Sequence, residues 1–168
     1  MTMTLNELTA RIVGWAQDRN LIEGSTPVAQ LGKLTEETCE TWKGIIDNND
    51  KEIVDGHGDM YVVATIMCAQ LGSSILHPDL KPSEGAKTMQ VFIALGKVAA
   101  AVVRHKREEA LQALIDFRCV LEHSARLDFG FFTLEEAVEH AWNEIKDRKG
   151  RMVNGTFIKE GEDAKTTH

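Results

Sequence analysis

The chain of 168 residues has only three prolines, three cysteines and 6% aromatic residues. So few prolines, with 43% apolar residues, exclude a disordered or fibrous chain. Cys39, Cys68 and Cys119 stand at neither a metal-knuckle nor a redox-pair spacing, so they are expected to be reduced and buried in a reducing cytosol. An excess of basic residues is also lacking: 26 acidic against 19 basic side chains leave a formal charge of −7. That balance speaks against nucleic acid and anionic membrane as partners, because both are held by basic surface. The most apolar stretch, 91–103, is broken by Lys97 and is shorter than the roughly 20 residues a bilayer demands. No basic segment followed by an apolar one opens the chain, so no signal peptide is expected, and the expected location is the cytoplasm.

What the chain does have is helix-forming composition and helical spacing. Leu5, Leu8, Ile12, Trp15 and Ala16 recur on one face of a first helix capped by Thr4 or Asn6 and ending near residue 20. Thr26 followed by Pro27 opens a second helix, 28–46. The acidic and amide run 47–50 breaks it and caps a third, 51–71, whose second half is nearly all apolar. A loop, 72–85, separates these from helices expected over 86–105 and 106–127. Thr133 with Glu136 forms a capping box for a sixth helix, to about 148. An extended arm to 159 and a frayed polar tail, 160–168, complete one domain, 1–159. The fold class is all-α, a bundle of five to six helices. Leu31-Gly32-Lys33-Leu34 is echoed by Leu95-Gly96-Lys97-Val98, which suggests a degenerate tandem of two helix pairs. In that alignment Glu36, Glu37 and Glu40 fall opposite Ala100, Ala101 and Arg104, so the second copy has lost its acids.

The chemistry lies in the carboxylates. Glu36 and Glu40 are one helical turn apart, with Glu37 close to both, and Asp55 and Asp59 repeat the spacing on the next helix. A short antiparallel turn brings the two acidic faces together. Two carboxylates about 4 Å apart repel by roughly 4 kcal/mol at an effective dielectric near 20, so a convergence of several calls for a cation or raised pKa values. An all-oxygen donor set favours Mg2+, with Mn2+ as substitute, and Mg2+ commonly also takes substrate phosphates. Glutamates on a solvated helix face are the plain alternative. Against it, positions 41 and 44 are Thr and Gly, so no lysine stands one turn on, and Asp59 borders the apolar run. Gly56 and Gly58 are poor mid-helix residues and point to close helix approach or room for a ligand, while His57 reads as a surface or capping histidine.

The run Trp15…Arg19-Asn20-Leu21, then Gln30…Lys33-Leu34…Glu36-Glu37…Glu40, then Asp55…Gly58-Asp59 resembles the MazG-like all-α nucleoside triphosphate pyrophosphohydrolases, a superfamily that includes the dimeric dUTPases. The segment from Ala141-Trp142-Asn143-Glu144 through Lys149-Gly150 to Asn154-Gly155…Phe157 resembles its phage-type branch. Glu36, Glu37 and Glu40 match the family's first acid motif in full. The second motif departs: Gly56 stands three before Asp59 where the family has an acid, with Asp55 one residue further back, and Glu52 with Asp55 is a second literal match.

The resemblance implies cleavage of a (d)NTP between the α- and β-phosphates, giving (d)NMP and pyrophosphate. It implies metal ions on Glu37, Glu40, Asp59 and Asp55, and Glu36 or Glu37 serving the attacking water. Lys33 shares the side of its helix with Glu36 and Glu37, and Lys146 and Lys149, with Asn143 nearby, are the expected phosphate contacts. Trp15 either stacks on a base or packs in the core, while Trp42 and Trp142 read as packing residues. Helices three and four are apolar around much of their girth, so a homodimer or homotetramer is expected. Two other readings stay open: a phosphohydrolase of another ester, and a catalytically silent helical binding or assembly module.

Overall fold

The structure, a computed structural model, describes residues 2–77, 90–153 and 156–160. Among them run six α-helices, α1 (Leu5–Asp18), α2 (Pro27–Ile46), α3 (Asp50–Gln70), α4 (Val91–Val103), α5 (Arg107–His123) and α6 (Leu134–Ile145). The all-α bundle is thus observed. The arm after α6 is a two-stranded antiparallel hairpin, β1 (Gly150–Val153) and β2 (Thr156–Lys159), with Arg151 opposite Ile158. No helix among the described residues is long and apolar enough to cross a membrane.

The helix starts follow from side-chain oxygens that satisfy free backbone N–H groups, each such cap contributing about 1 kcal/mol. Thr4, not Asn6, caps α1 in a capping box with Glu7. Thr26 caps α2 ahead of Pro27, Asn49 caps α3, and Thr133 forms the box with Glu136 at α6. The expected fifth helix is interrupted: α5 ends at His123 and the chain continues as a π-helical stretch, Ser124–Phe129, stopped by Gly130 in the left-handed conformation (φ 71°). Residues 86–89 of the expected fourth helix, 78–85 of the loop and 161–168 of the tail lie outside the described residues.

α3 is the axis of the bundle. Apart from Asp59 it is buried continuously from Gly56 to Cys68, and α1, α2, α5 and α6 all pack on it. A helix apolar on every side can only be surrounded. Two of its glycines set how closely the neighbours come. A Cβ at Gly56 would run into the Thr41 side chain on α2, and one at Gly58 would run into the Ala137 carbonyl and the Ala141 methyl on α6. α4 and α5 form a second antiparallel pair, which meets the first mainly through α2–α4 and α3–α5 contacts.

Candidate functional site

A cleft of about 530 Å³ opens between α1, α2, α3, α6 and the hairpin. Five carboxylates line it: Glu37 and Glu40 from α2, Asp55 and Asp59 from α3, and Glu144 from α6. Lys33 and Arg148 line it too, and Trp15, Met152 and Phe157 form an apolar end. The helical period places Glu37 on the face of α2 that also buries Leu34, Thr38 and Thr41, so its side chain is only 6% exposed. Lys33, four residues back, reaches it at 2.6 Å.

These charges alter one another. Burial, then the hydrogen bond from Lys33 working against it, leaves Glu37 above the usual carboxylate range. Burial, followed by the negative charges of Glu37 and Asp55, pushes Asp59 up to about 7, with Arg148 opposing. Asp55 is raised by burial and by Glu144, with His140 opposing. Lys33 is penalised by burial, but its bonds to Glu37 and Glu36 outweigh that and raise it. Three acids that hold protons unusually well, all oxygen donors on one cleft, form a set that a hard divalent cation fits.

Most of the expected residues meet in this cleft: Lys33, Glu37, Glu40, Asp55, Asp59 and Trp15. Glu36 does not line it. Its exposed carboxylate lies 3.2 Å from Lys33 on the outer side of α2. Asn143, Lys146 and Lys149 are also exposed and off the cleft wall, and Lys146 donates to Asn143 Oδ1 at 2.9 Å. Glu144 and Arg148 take the places facing the acids, because α6 buries Ala137, Val138, Ala141 and Ile145 and the sector beside that stripe faces α3. The signal was available in the four-residue spacing of His140, Glu144 and Arg148.

Trp15 stands between core and cleft. Its indole Nε1 is buried without a hydrogen-bond partner, the Arg19 guanidinium lies 4.7 Å above the ring, and Phe157 is 6.3 Å away. Arg19 Nε also donates to the Arg148 carbonyl at 2.7 Å, tying α1 to the chain that leaves α6.

Two expectations are corrected outside the cleft. His57 is neither a surface nor a capping residue: it is 2% exposed, its Nδ1–H donates to the Ile53 carbonyl at 2.7 Å, and its Nε2 accepts from Ser124 Oγ at 2.9 Å. Burial lowers it to about 4, so it is neutral, and Phe129 and Phe132 meet it edge-on. Cys39 is exposed, because it falls on the outer side of α2, while Cys68 is buried and Cys119 intermediate. Trp42 does pack, against Phe92 at 5.1 Å.

No family model matches the chain, and no solved structure matches it. A curated relative, the uncharacterized 18.2 kDa protein in the rep-hol intergenic region of Haemophilus phage HP1 (strain HP1c1), is 44% identical over 66 residues. That stretch covers 39% of this chain and 40% of the phage protein, so the match spans about two fifths of the relative's length.

Proposed function

We propose that this chain is a MazG-like, Mg2+-dependent pyrophosphohydrolase that converts a (d)NTP into (d)NMP and pyrophosphate. The observation that carries the reading is the convergence of five carboxylates from three helices on one cleft that also holds two cations and an aromatic end. A nucleoside triphosphate has the complementary parts: an anionic chain that needs cations, and a flat base. Glu37, Glu40, Asp55 and Asp59 are the residues that would hold Mg2+, which when bound offsets the phosphate charge and makes the α-phosphorus electrophilic.

The chain's own groups do the rest. Lys33 and Arg148 hold phosphate oxygens. Trp15 and Phe157 offer a face to the base, and Val62, Val63 and Ile66 exclude water along the wall. Of the two carboxylates expected to serve the attacking water, Glu37 is the one on the cleft, and its raised pKa suits it to accept that water's proton. The water oxygen bonds to the α-phosphorus as the bond from that phosphorus to the bridging oxygen breaks, and pyrophosphate leaves.

The test is incubation of the protein with Mg2+ and each common NTP and dNTP, the products separated by ion exchange, with Glu40→Gln as control. Monophosphate and pyrophosphate, lost in the variant, support the reading. Diphosphate and orthophosphate, or no product with any nucleotide, overturn it.

The same proposal takes the active form to be a homodimer or homotetramer in the cytoplasm, the host's if the gene is carried by a phage, as that of the HP1 relative is. Phe92, Ile93 and Val103 stand exposed along α4, and burying them against a second copy removes apolar surface from water. A monomer in sedimentation equilibrium at micromolar concentration counts against it.

A further inference from the structure

At the edge of the cleft one cluster has a different donor chemistry. Asp55 on α3 meets His140 and Glu144 on α6, the latter two one helical turn apart. One ligand atom from each lies within 4.8 Å of the others. Asp55 Oδ1 and His140 Nδ1 face each other at 3.3 Å, an ion pair when the imidazole is protonated, and both atoms are shut off from solvent without a hydrogen-bond partner. Two buried, unsatisfied polar atoms side by side are costly unless something sits between them. Two ligands bound about 2.0–2.1 Å from a tetrahedral ion are themselves about 3.3 Å apart. Glu144 is engaged only loosely, 3.7 Å from Arg148.

We propose that Asp55, His140 and Glu144 form a transition-metal site, taking Zn2+ or Co2+ in preference to Mg2+, with an open coordination position towards the cleft. The imidazole is the reason for the selectivity: nitrogen donors suit the later first-row ions, whereas Mg2+ wants oxygen alone. Three protein ligands with a fourth position free is the arrangement of zinc sites that meet a substrate. The site stands independently of the pyrophosphohydrolase reading, although it shares Asp55 with the proposed Mg2+ ligands.

The experiment is calorimetric titration of the metal-free full chain with ZnCl2 and separately with MgCl2, with the histidine side-chain nitrogen resonances followed by NMR. The expected result is a single Zn2+ bound at micromolar concentration or tighter, a shift of the His140 nitrogens, and at least tenfold weaker Zn2+ binding in His140→Ala and Glu144→Gln. Glu40→Gln is expected to retain Zn2+ binding while losing nucleotide turnover, which separates failure of this site from failure of the proposed reaction. Equal Zn2+ affinity in His140→Ala and the unaltered chain, or no Zn2+ binding with His140 unshifted, overturns the proposal. Thermal unfolding without metal checks that the variants are folded.

Discussion

The α2–α3 and α4–α5 pairs are built alike at their first helices and differ in what they bury. Leu34 and Val98 are both fully buried, and one turn on Glu37 (5% exposed) stands where α4 has Ala101 (4% exposed). In the alignment of residues 31–34 with 95–98, one position thus holds a carboxylate in α2 and a methyl in α4. Folding alone favours the methyl, since even a buried charge paired as Glu37 is with Lys33 is often no more stable than the packed apolar group that replaces it. The difference teaches that α4 answers to packing, while α2 carries a burden that packing does not explain. Even the preceding lysines differ: Lys33 is committed to two carboxylates, while Lys97 is followed three and four residues on by Ala100 and Ala101.

If that burden is functional, removing it should cost activity first. Glu40→Gln and Asp59→Asn are each expected to lower pyrophosphate release by about a hundredfold or more, while far-ultraviolet circular dichroism stays unchanged. Full activity in either would make the α2–α3 acids as dispensable as the α4 alanines and break the comparison.

The reciprocal exchange probes stability. Ala101→Glu is expected to lower the free energy of unfolding by about 3 kcal/mol, with Lys97 offsetting part of the cost from the position Lys33 occupies in α2. Glu37→Ala is expected to raise the melting temperature of the metal-free protein, since it removes the first neighbouring charge that pushes Asp59 up. Chemical denaturation of Ala101→Glu and thermal unfolding of Glu37→Ala check the two signs.

The glycines sharpen the contrast further. Gly58→Ala forces a methyl into the Ala137 carbonyl and is expected to cost about 1–3 kcal/mol. Gly96→Ala on α4 meets nothing within 4 Å and is expected to stabilise by about 0.5–1 kcal/mol.

The net effect of pH is small because two slopes oppose each other. His57 has a folded pKa of about 4, below its ordinary 6.5, so its contribution is fully present above pH 6.5 and is lost as pH falls towards 4. Asp59 acts oppositely: raised to about 7, it costs stability above that pH and relieves the cost as pH falls towards 4. In the metal-free protein the two slopes oppose each other. Asp59→Asn is expected to expose a stability that declines from pH 6.5 to 4, and His57→Gln one that rises from pH 7 to 4, both read by thermal unfolding.

Much of the fold is legible in the sequence because its determinants are local. Thr26-Pro27 and the Thr133–Glu136 box mark helix starts within four residues, and the apolar run of α3 marks its central place. Two sides of the candidate site are legible for the same reason, since Glu37 with Glu40 and Asp55 with Asp59 each lie on one helix. The third side is not. The four-residue spacing of His140, Glu144 and Arg148 marks a face but not what it meets: Glu144 and Arg148 reach the cleft because Gly58 lets α6 come close, a contact made across nearly eighty residues. Lys146 and Lys149 stand out by charge, but the course of the chain as it leaves α6 decides which basic residue faces the acids. The π-helical turn that closes over His57 was equally hidden, because it replaces an α-helix that the pattern supports.

The bond from Arg19 to the Arg148 carbonyl has a consequence for synthesis on the ribosome. The acidic hairpin is complete when Gln70 emerges, but α6 begins only at Leu134, roughly sixty residues and several seconds later at 5–20 residues per second. Throughout that interval the nascent chain has acids but no cleft, because the wall that carries Glu144 and Arg148 and the clasp to α1 have not been made. The cleft is therefore complete only after the later elements dock, and a chain truncated before α6 lacks the wall that carries Glu144 and Arg148.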